Sequence, residues 1–535
     1  MDSNHYWTKQ IARRRVLKGA AALTGAAGLG AVLAACGRDG DDGEPTTTPS
    51  SGASAAPLNI SEFVVANEAE PTDMLPYFGG YGAGLVSRAI YETLFEPRMT
   101  LTPDGRVDIS YTGVLAKSYT RIDPTRVRYQ LREGVKFHNG EAWDAEAASA
   151  SFEVMSSQDV AASLKKTSYL RGIKLEVVDL MTIDLVFSTP DTESLSSPQV
   201  RIGFVGLPPK QLRERGLESF NENPVGTGPF KFASWTRGQE IKLTKFEGYW
   251  NKEGTNIPAL KFITRPDPGV RALTVRAGEA HFAYNIGGEQ AKGLKNKVIG
   301  GGFQSSSLRL NNAIAPTNDI RVRKAINHAL DREAIAKALF AGTAKPIGFF
   351  AFQPVNVQPF KYDLNEAKRL IKEAGVEGQE LELVYGENRV PEEPQMVEYY
   401  KAQLEAVGLK IKLTRLEARQ YNEVGGKPFT EQPPIFMETT SSGNFADNAS
   451  GLRDKYGCKG SGTFCNPEVD TAVEAMAVLD GEKKITALQK IANDLQNQYT
   501  PRAWVVGVQQ VHGLAAGVKT DLPLNAYILW EDIRI

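Results

Sequence analysis

Residues 19–35 carry no charge and consist almost wholly of Ala, Gly, Leu and Val, and Cys36 follows them directly. The run is short and glycine-rich for a membrane-spanning helix. Arg13, Arg14, Arg15 and Lys18 stand just before or at its start. A basic segment, an apolar segment and a small-residue end, in that order, form an export signal. Residues 37–57 are mostly Gly, Asp, Thr, Ser, Ala and Pro and hold no large apolar side chain. Such a stretch has nothing to bury and stays a flexible tether. The folded body therefore starts near Leu58.

Arg13-Arg14, with Leu17 and Lys18, resembles the twin-arginine export pattern, although Val16 stands where that pattern has Phe. The general export route thus remains open. Leu33-Ala34-Ala35-Cys36 resembles the lipobox of bacterial lipoproteins. It implies cleavage before Cys36 and diacylation of its thiol, and two acyl chains suffice for stable anchoring. An uncleaved signal or plain membrane anchor is the competing reading.

The basic leader leaves the rest of the chain with a net charge of roughly −5, which argues against nucleic acid as a partner. No second apolar stretch of membrane length appears in the sequence. Cys458 and Cys465 are the other two cysteines. In an exported protein they close a small disulfide loop, with two unpaired thiols as the alternative. They are too few for a zinc site. No cofactor motif is present.

Periodicity gives a mixed α/β body. Residues 58–66 read as a first strand and residues 85–95 as a helix. Residues 127–137 form a strand entering a glycine turn, and Asp144 caps a helix over 145–155. Residues 175–187 form a hairpin around Asp179. Residues 319–340 hold two helices, the second capped by Asp331 and closed by Gly342. Asp363 to Glu366 is a capping box by residue type, opening a helix that ends at Gly375. Residues 381–416 are a strand–helix–strand unit with parallel pairing.

Several blocks together resemble family 5 extracellular solute-binding proteins of the peptide, dipeptide and nickel type. Asn223-Pro224-Val225-Gly226-Thr227-Gly228-Pro229-Phe230, followed by Trp235 and Tyr249-Trp250, resembles the family's signature. Residues 131–140, residues 319–335, the 363–375 helix and Asn466 to Asp470 match further blocks. The resemblance implies an α/β, two-lobed clamshell of the periplasmic-binding-protein fold with an extra inserted domain. It divides the chain into an export signal (1–35), a lipidated cysteine and tether (36–57), lobe I (58–98, 221–310 and 501–535), an inserted domain (99–220) and lobe II (311–500).

The same resemblance implies capture of a peptide or related small solute between the lobes. A monomer anchored on the outer side of the cell membrane would deliver it to an ABC permease and its ATPase subunits. Peptide-binding members hold the ligand amine with a lobe II aspartate. Asp447 stands in about that place, beside Asn444 and Phe445, without the usual proline. Tyr77, Phe78 and Tyr81 lie in a glycine-rich loop suited to a cleft wall. Arg321 and Arg323 fall on a helix where a solvated or salt-bridged face is expected. His138, His281, His328 and His512 are scattered, without metal-ligand spacing. Val225 to Gly228 lacks the Lys-Ser/Thr ending of a phosphate loop.

A secreted hydrolase is the rival class, yet neither G-x-S-x-G nor H-E-x-x-H occurs. A surface lipoprotein that binds ligand without a transporter shares every feature above.

Overall fold

The computed structural model describes residues 58–75, 81–101, 107–157, 170, 172–188, 204–349, 355–386, 390–441, 448–460, 462–479, 481–520, 522 and 528–535. One sheet of eleven strands organises them. From one edge it runs Lys410–Leu416, Glu380–Gly386, Ile435–Ser441, Lys297–Leu310, Arg502–Leu514, Phe282–Ala283, Phe63–Asn67, Ala259–Thr264, Glu240–Lys245 and Phe230–Thr236. The short strand Ala344–Pro346 pairs with Arg502–Leu514 off this path.

Two long antiparallel strands, Lys297–Leu310 and Arg502–Leu514, join the halves of this sheet. Leu308, Leu310, Ala503 and Val505 belong to one hydrophobic core, with Ile326, Leu383 and Tyr400. Leu514 belongs to another, with Phe63, Val86, Phe262 and Trp530. Between Ile299 and Phe303 the register slips, which is where Gly300 to Gly302 interrupt the strand. A bulge there lets the paired strands bend between the two cores.

A separate four-stranded sheet, Ala116–Asp123, Arg126–Leu131, Thr182–Phe187 and Ile173–Asp179 in that order, carries the helix Ala145–Ser156. Its buried Tyr129, Leu131 and Ile183 continue into the core around Phe63. Asp184 is buried on the polar face of this sheet, held by Arg126 at 2.9 Å and Arg128 at 2.8 Å.

Local signals settle most element ends. Asp144 accepts from the Ala147 amide and Asp331 from the Ala334 amide, satisfying orphan donors of the first turn. Gly375 closes its helix at φ +70°, a conformation that needs no β-carbon. Strands Glu380–Gly386 and Lys410–Leu416 pair in parallel around the helix Glu393–Glu405.

Three expectations change. The helix expected over 85–95 spans Tyr81–Ile90, and Phe95 begins a strand paired with Gly113. The Asp363 side chain caps as expected, but its own amide bonds the His328 carbonyl, and Glu366 pairs with Arg369 instead of completing a box. Arg321 is exposed and ion-paired with Asp319, as expected, whereas Arg323 is 6% exposed. Its guanidinium bonds the carbonyls of Thr317, Asn318, Tyr499 and Thr500. It is a structural clamp.

Candidate solute cleft

Strand direction locates the site. Phe63–Asn67 runs parallel to Ala259–Thr264 and Phe282–Ala283, and the last of these is antiparallel to Arg502–Leu514. The carboxyl ends of the three strands therefore point toward the bulge and the other core. On the far side, Ile435–Ser441 is antiparallel to Lys297–Leu310 and parallel to Glu380–Gly386. Its carboxyl end points back across the same gap. Ligands of open α/β sheets bind outside such strand ends, and here both halves turn theirs to one another.

On the first half, the segment after Asn67 is pinned from several directions. Met74 N–H donates to Asn221 Oδ1 at 3.1 Å, and the Tyr91 hydroxyl donates to the Met74 carbonyl at 2.9 Å. Glu70 accepts from the Trp235 indole and the Gly238 amide, and Arg237 stacks on Trp235 at 3.3 Å. Trp235 of the signature thus helps hold the segment that precedes Tyr77 and Phe78 in the chain. Tyr77 and Phe78 lie outside the described residues. Tyr81 opens the helix Tyr81–Ile90, and its side chain is likewise outside them.

Arg271 organises the two neighbouring strand ends. It is 2% exposed, and its guanidinium reaches the carbonyls of Arg265, Pro266, Tyr284 and Asn285 at 2.6–2.7 Å. Asn285 adopts φ +46° and offers its amide to His512 Nδ1 at 3.1 Å. The other ring nitrogen of His512 faces the Gly300 carbonyl at 3.1 Å. Because Nδ1 accepts, Nε2 carries the proton and donates. Burial pushes the His512 pKa down to about 3, which keeps the ring neutral.

On the second half, Gly386 and Ser441 end strands at the gap. Asn444, Phe445 and Asp447 follow Ser441 in the chain and lie outside the described residues, as do Arg13, Arg14, Leu17, Lys18 and Cys36. On the connecting strands and the neighbouring Ile435–Ser441, Gln304 Nε2, Gln510 Oε1 and Thr439 Oγ1 are buried without a partner among the described residues. Unpaired polar atoms in such a place suit water or solute.

The signature block itself is scaffold. A β-carbon on Gly226 would collide with the Ile90 carbonyl, and one on Gly228 would lie 2.6 Å from that of Ala89. His138 joins the upstream block to the signature, facing the Gly228 carbonyl with Nε2 at 2.9 Å and accepting the Gly226 amide on Nδ1 at 3.3 Å. Burial lowers its pKa to about 4. His281 and His328 also bond to backbone. Cys458 and Cys465 are disulfide-bonded, between helices Asn448–Tyr456 and Pro467–Ala477.

The family model described as "Bacterial extracellular solute-binding proteins, family 5 Middle" matches residues 110–462. The chain is a family 5 extracellular solute-binding protein. The glutathione-binding protein GsiB of Pectobacterium atrosepticum is 30% identical over 413 residues, covering 72% of this chain and 78% of the relative. DppA of Helicobacter pylori, solved with the peptide STSA, superposes with a TM-score of 0.72 at 22% identity, covering 89% of this chain and 98% of DppA. The dipeptide-binding protein of Pseudoalteromonas sp. SM9913, solved with Met-Leu, gives 0.75 at 18% identity, with 88% and 99% covered. The fold is the bilobed clamshell with an inserted subdomain. By its family the chain is a protein that binds solute outside the cytoplasm, a binding protein rather than an enzyme.

Arg271, Asn285, His512 and Glu392, which is taken up below, were not singled out as site residues from sequence. Arg271 and His512 act on backbone groups, those of His512 in distant segments, so no motif marks them.

Proposed function

We propose that this family 5 protein captures a peptide or peptide-like solute and hands it to a membrane permease. The observation that carries the reading is the pair of facing strand ends, with a hinge of two strands beside them. Closure about such a hinge encloses a solute and gives the permease one shape to recognise. The relatives bind glutathione or short peptides by their descriptions, and the peptide assignment follows that likeness.

In this reading lobe I comprises residues 58–98, 221–310 and 501–535, the insert 99–220 and lobe II 311–500. Asp447 offers the carboxylate for the ligand ammonium, since a buried ammonium needs such a partner. Asn444, Phe445, Tyr77 and Tyr81 line the same cleft. Cys36 carries the lipid that holds the body at the membrane, and Arg13, Arg14, Leu17 and Lys18 direct export.

Calorimetric titration with reduced glutathione and a panel of di- to tetrapeptides tests the proposal. Binding by wild type, with Asp447→Ala losing it, is the expected result. Wild-type binding left unchanged by Asp447→Ala would remove Asp447 from the site. No binding of any peptide would remove the peptide assignment.

A further inference from the structure

Beside the hinge, a carboxyl group from one half of the sheet is pressed against backbone from the other. Glu392 immediately precedes the helix Glu393–Glu405, which follows the strand Glu380–Gly386, and it is 7% exposed. It faces Gly287 and Gly288, in the segment that follows Phe282–Ala283 across the gap. The approach is close. A β-carbon on Gly287 would stand 2.6 Å from Glu392 Oε1, 2.9 Å from Gln290 Oε1 and 3.2 Å from Pro391 Cβ. Gly287 also adopts φ +77°, so two independent reasons require glycine there.

Neither Glu392 Oε1 nor Gln290 Oε1 has a partner among the described residues. Among the described residues the charged neighbour acting on Glu392 is Glu289, of like sign, and Lys292 is ion-paired to Glu289 at 2.6 Å. Glu393, the next residue, is also buried. An ionised carboxylate buried with no cation among the described residues has lost its water, and that loss is unfavourable. A neutral carboxyl can instead donate its proton to a neighbouring oxygen such as Gln290 Oε1.

We infer that Glu392 makes closure of the lobes proton-dependent, its neutral carboxyl seating against Gly287 and Gln290 and its ionised form opposing that contact. The inference rests on the reading that the lobes part and close around solute, and it names a regulation of that site. In the parted form Glu392 meets water and ionises in the ordinary carboxylate range. In the closed form burial, opposed in part by nearby backbone N–H groups, raises its pKa from 4.5 to about 7. Closure therefore takes up a proton. It is most favoured below pH 4.5, weakens as pH rises through about 7, and is least favoured above that.

Small-angle X-ray scattering of the ligand-free full chain at pH 5 and pH 8.5 tests this without any solute, so failure of the peptide assignment leaves it intact. For wild type the radius of gyration should be larger at pH 8.5, with a midpoint near 7. Glu392→Gln, which keeps the shape but cannot ionise, should hold the smaller radius at both values. A wild-type radius that does not change with pH overturns the inference, as does a folded Glu392→Gln chain that expands like wild type. The wild-type comparison stands alone if the variant does not fold, which thermal unfolding followed by circular dichroism would report.

Discussion

His512 Nε2 lies 3.1 Å from the carbonyl oxygen of Gly300, so a buried ring ties one long strand to the bulge in the other. The same ring accepts the Asn285 amide and packs on Phe282 and Tyr284, with ring centroids 5.3 and 5.0 Å away. It therefore couples a loop at the cleft to the bend between the lobes.

His512→Ala should cost about 3 kcal/mol, because it removes a packed ring and strands two backbone groups. Urea unfolding reads this directly. The pH sign is also determined. The folded pKa is lowered from 6.5 to about 3, so only the unfolded chain binds the proton between those values. The advantage of wild type over His512→Gln should be full above pH 6.5 and shrink as pH falls toward 3.

The Tyr249 hydroxyl sits 2.8 Å from Glu92 Oε1 and 2.6 Å from Glu531 Oε1. One hydroxyl proton cannot serve both contacts, so one carboxyl keeps its own. Burial, then the charge of Glu531, raises the Glu92 pKa from 4.5 to about 8. The contribution is present below pH 4.5 and is lost as pH rises through about 8. Between pH 5 and 8.5 the urea midpoint of wild type should therefore fall relative to that of Glu92→Gln. Tyr249→Phe should cost about 1–3 kcal/mol by leaving a carboxyl unsatisfied.

Arg321 and Arg323 differ by two positions and should differ sharply in effect. Arg323→Ala takes the guanidinium from four carbonyls, those of Thr317 and Thr500 buried, and should cost about 3 kcal/mol. Arg321→Ala removes an exposed pair and should leave the unfolding midpoint unchanged within error.

Reducing the Cys458–Cys465 bond, or replacing both residues by serine, should lower stability by roughly 2–3 kcal/mol, the loop entropy expected for so short a ring. Urea unfolding with and without dithiothreitol measures it, and the serine variant should be insensitive to the reductant.

Elements with local signals were legible in the sequence. Asp144, Asp331 and Gly375 act within a turn of themselves, and the 381–416 unit carries its own periodicity. The two long strands were not legible. Lys297–Leu310 contains Gly300 to Gly302 and a polar run from Gln304 to Ser307, which neither alternates nor resembles a core strand. It is stabilised by a partner some two hundred residues away. Arg323 was assigned to an exposed face because helical spacing alone does not say which carbonyls a distant turn leaves unpaired. The leader, Cys36 and Asp447 lie outside the described residues, and they are read from sequence and likeness. Arg271 and His512 became visible only when the strand ends that they hold were set side by side in the sheet.

The most direct test is to purify the protein gently from native membranes, release its bound solute and identify both by intact mass spectrometry. The expected result is a diacylated chain starting at Cys36 together with a peptide or peptide mixture. Release of only a sugar or a metal chelate would contradict the peptide assignment, and an unlipidated chain would contradict the anchor at Cys36.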